Sequence, residues 1–211
     1  MRRMKKAANA CVFLAAWLAS TAAAPAKDWV LDTSHSRVIV HVLPAGLLSG
    51  ALHEHHFQPE SWSGEVSWDP EKPAVLRLEA RFAADSLHDQ QSRLSPRDIA
   101  KVEGQTRSPD VLDVKKFPSI EFRAESAEVS QPPGADGTFG GTLAGSLTLH
   151  GQTRPLRLDV KGRIAEGRLE ASATGTFKQS DFGMKPYKTA LGAIAVRDEV
   201  SVEIAIVASP R

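Results

Sequence analysis

The stretch from Gly141 to Lys161, G-T-L-A-G-S-L-T-L-H-G-Q-T-R-P-L-R-L-D-V-K, constrains the fold more than any other part of the chain. Leu143, Gly145, Leu147 and Leu149 alternate with Ala144, Ser146, Thr148 and His150, the two-residue period of a strand with one buried face. His150-Gly151-Gln152 breaks the run, with a glycine placed to supply the positive φ of a tight hairpin. Alternation resumes through Leu156, Leu158 and Val160. Pro155 has no N–H for a ladder, which puts it at the start of the second strand or beside an edge. A lone hairpin with one apolar face does not survive in water, so further strands must cover that face or curl it into a barrel.

Those strands are written along the rest of the chain. Trp29–Val42 forms the first, with Val38, Val40 and Val42 on one face. Trp62, Gly64, Val66 and Trp68 mark a second, and Leu76, Leu78, Ala80 and Phe82 a third whose other face carries Arg77, Glu79 and Arg81. Apolar-in, charged-out alternation of this kind belongs to an antiparallel sheet with one wet side. Ser95-Pro96 then has the capping residue and first-turn proline of a helix, followed by Ile99, Val102 and Glu103 at helical spacing. Ser108-Pro109-Asp110 repeats the signal for a shorter helical turn. Strands return at Ile120–Val129, Arg168–Lys178 and Val200–Val207. The pattern predicts an all-β fold, an eight-stranded antiparallel up-and-down barrel with one or two short helices inserted between strands 3 and 4. A sandwich is the alternative.

The first 26 residues have another character. Arg2, Arg3, Lys5 and Lys6 precede an apolar run from Ala7 to Ala23, and Ala24-Pro25-Ala26 supplies a small-x-small cleavage site. Residues 1–26 therefore form a cleaved signal peptide for general secretion, and residues 27–211 the mature domain, expected in the periplasm. Cys11, the single cysteine, lies in the leader, so disulfides, thiol catalysis and cysteine metal sites are excluded from the mature protein. Removing the leader takes four basic residues from the 26 in the chain, leaving 22 against 25 acidic ones, a formal charge of −3. No nucleic-acid footprint is present.

Several motifs, in order, resemble the YceI-like family of secreted, lipocalin-like polyisoprenoid-binding proteins. Asp32-Thr33-Ser34-His35-Ser36 is similar to its D-x-x-H-S opening. Ser108–Asp113 with Lys116-Phe117-Pro118-Ser119-Ile120-Glu121-Phe122 resembles its S-x-D-F-F-D and Y-P-x-I-x-F elements. Leu147–Pro155 resembles L-T-L-x-G-V-T-K-P, and Ser180–Met184 and Arg197–Val200 resemble its closing S-D-F-G-M and G-D-E-V. Val111-Leu112 stands where the family has a Phe pair, Arg197 replaces a turn glycine, and the stretch Leu48–Gln58 is His-rich.

The resemblance implies a lipocalin-like barrel whose apolar lumen holds a long isoprenoid, polyprenyl or quinone-type, as its bound ligand, with no cofactor and no catalytic machinery. Alternation nominates Val38, Val40, Leu78, Phe82, Phe122, Leu147, Leu149, Val202 and Ile204 as lumen wall, and Phe182 as a plug at a turn; a slip of one residue would move every strand position outside. His35 opens strand one or meets a ligand head group. It is no hydrolase residue, since there is no G-x-S-x-G elbow and the spacing places no acid to orient its ring.

A second reading is a metal-binding or metal-dependent protein centred on His53-Glu54-His55-His56. In an extended chain His53 and His55 project to one side and Glu54 to the other, with His41 or His88 as a third ligand. A third reading fills the barrel with its own side chains and assigns function to a surface contact with a membrane redox protein.

Overall fold

Pairing follows alternation along the whole chain. The computed structural model describes residues 27–47, 49–51, 53–189 and 193–211; the signal peptide expected at residues 1–26 lies outside them. The strands are β1 (Lys27–Leu31), β2 (Arg37–Ala45), β3 (His55–Pro59), β4 (Trp62–Trp68), β5 (Val75–Ala83), β6 (Leu87–Asp89), β7 (Ser119–Gln131), β8 (Thr138–Leu149), β9 (Gln152–Ala165), β10 (Arg168–Lys178) and β11 (Ala195–Pro210), with helix α1 (Pro96–Thr106) between β6 and β7. Every ladder is antiparallel, in the order β1-β4-β5-β7-β8-β9-β10-β11-β2-β3-β6, and β1 also pairs with β11.

The first six segments are three long strands, each broken once. Both β1 and β2 pair with β11, through Leu31↔Ala208 at one end and Val38↔Ile204 further along. β4 pairs with β1 and β3 with β2; β5 then pairs with β4 and β6 with β3. The eleven segments thus close into the eight-stranded antiparallel barrel expected, with the helix inserted between its third and fourth strands. Turn chemistry explains the break between β1 and β2. Asp32 Oδ1 accepts from the backbone amides of Ser34 (3.1 Å) and His35 (3.2 Å), which turns the chain out of the ladder.

Helix α1 starts where its capping signal lies, with Ser95 Oγ accepting from the Asp98 amide at 3.2 Å. The second helical turn expected at Ser108–Asp113 is not a helix. It is a pair of turns in which Ser108 O accepts from the amides of Val111 and Asp113, and Asp113 sits at φ 45°. Lys185 Nζ (2.8 Å from Asp110 Oδ1) and its amide hold this segment from across the barrel mouth.

The central hairpin joins β8 to β9 in the expected register, Leu143↔Leu158 and Gly145↔Leu156. His150 (φ 50°) and Gly151 (φ 71°) are both left-handed, the geometry that lets a two-residue turn follow the twist of its strands. Pro155 lies within β9, opposite Ser146, rather than at its start. It is tolerated there because the ladder to β10 covers only Asp159–Ala165, leaving that edge of β9 open.

Two apolar clusters bracket the barrel interior. Trp29, Trp68, Leu76, Leu169 and Ala208 pack one end, with Trp29 Nε1 donating to Trp68 O at 3.1 Å. Phe57, Leu87, Leu112, Phe122, Leu149, Phe182 and Met184 belong to the other, beneath α1.

A side chain at Gly151 would have to adopt a left-handed backbone and would place its Cβ 2.3 Å from the Phe117 ring. Gly151→Ala is expected to destabilise the fold by at least the ~1–2 kcal/mol of the left-handed conformation. A urea titration reads this as a lower midpoint at unchanged slope.

Candidate functional site

Between the two clusters the inward faces of all eight strands leave a cavity of about 760 Å³. Its volume falls within the roughly 300–1,000 Å³ of small-molecule sites. The cavity extends from Trp68, Phe139 and Leu169 at one end to Leu94, Val102 and Thr106 around α1 at the other. The barrel is therefore not filled by its own side chains.

The structure places Val38, Val40, Leu78, Phe82, Phe122, Leu147, Leu149, Val202 and Ile204 on this wall. Their register is what the pleat requires: Val202↔Val40 and Ile204↔Val38 face each other across one seam, and Leu147 lies opposite Phe122 on another. Phe182 differs. It is 1% exposed and packs edge-to-face on Phe177 (centroids 5.5 Å), behind the wall rather than on it. Gly183 at φ 74° turns the chain there, and Phe182 O faces His150 Nδ1 at 3.0 Å, which ties this segment to the turn of the β8–β9 hairpin. Trp62 stacks on Phe82 (5.7 Å, 22°) and contributes to the wall beside it.

The polar part of the site lies at the α1 end. Val42↔His55 and Val40↔Phe57 are cross-strand pairs, so His55 and Phe57 share the inward face of β3 with the valines of β2. His53 and His55 both line the cavity. His55 Nδ1 lies 2.6 Å from Oδ2 of Asp89, a carboxylate with no exposed side-chain surface. Asp89 is in turn held by Glu103 of α1, whose Oε1 accepts from the Asp89 amide (3.1 Å) and faces His88 Nδ1 (3.2 Å), while Arg107 Nη2 donates to Oε2 (3.2 Å). Burial works against charge on Glu103, but the Asp89 amide, His88 and Arg107 outweigh it and keep the carboxyl below its ordinary pKa. The network ties β3, β6 and α1 together and leaves His55 Nε2 as the ring nitrogen available to a ligand.

Asp89 and Glu103 were not nominated as site residues from the sequence. A signal existed for Glu103: an acid on the apolar stripe of α1 beside Ile99 and Val102 has to meet a partner. Asp89 carries no such mark, because its three-residue strand is too short to show a period.

His35 lies in the β1–β2 turn, two-thirds exposed and away from the cavity wall. Contrary to the spacing argument, an acid does orient its ring: Asp32 Oδ2 is 2.7 Å from Nδ1. Hydrogen bonds from Ser34 and then from His35 hold the Asp32 pKa down at about 2. Ser34 Oγ is also 3.2 Å from Nδ1, the same nitrogen that meets the acid, whereas a nucleophilic relay needs the serine on Nε2. The trio is a turn clamp.

The histidine-rich stretch divides between two faces. His53 and His55 turn inward onto the cavity wall, where Asp89 meets His55 Nδ1, and Glu54 and His56 turn outward, where His41 of β2 lies opposite His56. Among the described residues the three donors that converge are His41, Glu54 and His56, all on the outer surface.

Comparison with known proteins follows the same outline. A model of the YceI-like domain matches residues 29–208. A UPF0312 protein of Pseudomonas savastanoi pv. phaseolicola is 27% identical over 188 residues, covering 86% of this chain and 89% of that protein. Among solved structures, BcnA of Burkholderia cenocepacia superposes with a TM-score of 0.65 at 18% identity, covering 84% of this chain and 98% of that one. A polyisoprenoid binding domain from Saccharophagus degradans gives 0.62 at 10% identity, covering 87% and 98%. At those identities the two structures speak to the fold.

Because the Glu103 pKa is lowered by folding, its carboxylate stabilises the native state above the usual carboxylate range, and that contribution is lost as pH falls through the folded value. Glu103→Gln is expected to cost about 1.5–3 kcal/mol at neutral pH, the worth of hydrogen bonds to a charged group. In denaturant melts across pH, the gap between variant and native protein should hold at neutral pH and close only on acidification below the ordinary carboxylate range.

Proposed function

The chain belongs to the YceI-like domain family, and from that premise we propose that it is a binding or carrier protein for a long-chain isoprenoid lipid held in the barrel lumen. The observation that carries the proposal is the apolar cavity of about 760 Å³ running between the two end clusters. An eight-stranded barrel is just wide enough for one slender ligand. A flexible hydrocarbon chain entering such a lumen gains about 0.8 kcal/mol per buried methylene, less the cost of association and of ordering the tail. The likeness of fold to a domain described as polyisoprenoid binding supports the same choice of tail.

The α1 end orients the ligand. Asp98 and Lys101 border the cavity there, and His55 presents its free nitrogen at the wall with Asp89 fixing the ring behind it. A hydroxyl suits this position: it donates to a neutral Nε2 and accepts from a protonated one. A polyprenyl or quinone-type lipid thus sits with its head beneath α1 and its tail toward Trp68 and Leu169. The basic-apolar leader in residues 1–26 supports the periplasm as the site of this work. The activity is binding, with no cofactor drawn on besides the lipid itself.

Native mass spectrometry of the protein, expressed with its own leader and purified without detergent, tests the reading. The expected result is a mass excess matching a polyprenyl compound, absent from a Leu78→Asp, Phe82→Asp variant and retained by Val30→Asp, an exposed position outside the lumen. The native protein should bind a hydroxylated isoprenoid up to about tenfold more tightly than the same tail without its hydroxyl, the value of one hydrogen bond. A bare polypeptide mass, together with unchanged binding of a fluorescent polyprenyl probe by the Leu78, Phe82 variant, would sink the proposal.

A further inference from the structure

The outward face of β2 and β3 carries a second arrangement, separate from the lumen and independent of what fills it. His41 and His56 are direct cross-strand partners, with ring centroids 4.9 Å apart. Glu54 reaches between them: its Oε1 is 2.9 Å from His41 Nδ1 and 3.2 Å from His56 Nε2. All three side chains are part-exposed, at 23% for His41, 36% for Glu54 and 40% for His56. Gln91 Nε2 donates to Glu54 O at 2.7 Å, which fixes the backbone from which the carboxylate projects.

We infer that His41, Glu54 and His56 form a binding site for a first-row transition-metal dication, with zinc as the ion that suits it. Zinc takes imidazole nitrogen and carboxylate oxygen at about 2.0–2.1 Å in a tetrahedron, which sets its donor atoms roughly 3.3 Å apart along each edge. The two measured donor separations, 2.9 and 3.2 Å, already lie close to that edge, and the three donors lie within 4.8 Å of one another. Two imidazoles with one carboxylate select nitrogen-loving ions over calcium or magnesium, which want oxygen ligands.

A second carboxylate completes the arrangement. Glu203 of β11 places Oε2 3.6 Å from His41 Nε2, on the far side of the ring from Glu54. When His41 ligates through Nδ1, its Nε2–H faces Glu203, the outer partner that metal-bound histidines commonly have and that fixes ring tautomer and orientation. Three protein ligands leave a fourth position to water, and the part-exposed edge of the β2–β3 ladder leaves it reachable. The bland alternative is a carboxylate that hydrogen-bonds two neighbouring imidazoles; it predicts the same distances and no ion.

The whole protein, stripped with a chelator and titrated with zinc against a chromophoric competitor, separates the two. The expected result is one zinc per chain. His41→Ala and His56→Ala should each weaken it by more than the ~10–100-fold typical of an outer partner, and Glu203→Gln by an amount within that range. Glu54→Gln keeps the size of the side chain and its reach to both rings, so zinc lost from a variant with an unchanged thermal midpoint cannot be a folding defect. His35→Ala, a surface histidine elsewhere, should bind as the native protein does. Failure of the native protein to bind zinc stoichiometrically, or retention of the ion by the His41→Ala, His56→Ala double variant, would overturn the site.

Discussion

An apolar lumen persists in water only when the wall around it satisfies its own backbone. A sheet with two free edges would leave rows of N–H and C=O groups unpaired beside the cavity, and closure removes that liability. β11 provides it: sixteen residues long, it pairs with β10 on one side and with both β2 and β1 on the other. Once the ladder is closed, the pleat alone sorts the side chains. Valines and leucines go inward, while outside, Arg81 meets Glu121 across neighbouring strands and Arg157 reaches over β8 to Glu128. Exposed pairs of this kind add little to stability, so their weight lies in solubility and register.

The histidine-rich strand shows how much chemistry one pleat can divide. His55 and Glu54 are adjacent in sequence, yet one ring joins the lumen wall and is held by a buried carboxylate, while the other side chain joins two imidazoles at the surface. Because the period is two, neighbouring residues cannot serve the same site. The network behind His55 is costly to bury unless complete. Asp89 is paired with His55 and its amide is taken by Glu103, and Glu103 is met by Arg107 and His88. That completeness is what lets charged groups lie beside an apolar cavity.

The barrel was readable from the sequence because its strands are long enough to display a period, and the lumen positions followed from parity once one face was known to be buried. What was not readable was local. β3 and β6, of five and three residues, are too short to show alternation, and with them went the correct partner of His55. Ser108–Asp113 carried a helix-start signal but is held as turns by contacts with Lys185, distant in sequence. The clamp on His35 was missed although Asp32 lies three residues away, since an Asx turn brings the two together where an extended strand would not. Two motif fragments distant in sequence form one object: Ser180 bonds Asp198 through both its amide (2.8 Å) and its hydroxyl (2.6 Å), joining the S-D-F-G-M segment to the start of β11.

The same seam that closes the barrel sets the order of events in its making. Trp29 pairs with Pro210, almost the full length of the chain away, and Leu31 with Ala208. Nearest-neighbour hairpins such as β8–β9 and β9–β10 can zip as soon as their residues are free, whereas the first strand waits for the last. Pairings of such sequence separation are slow because loop closure must precede any gain in contacts. The half-built barrel is therefore an open, curved sheet with a greasy concave face and two bare edges. Until its final residues arrive it has no inside.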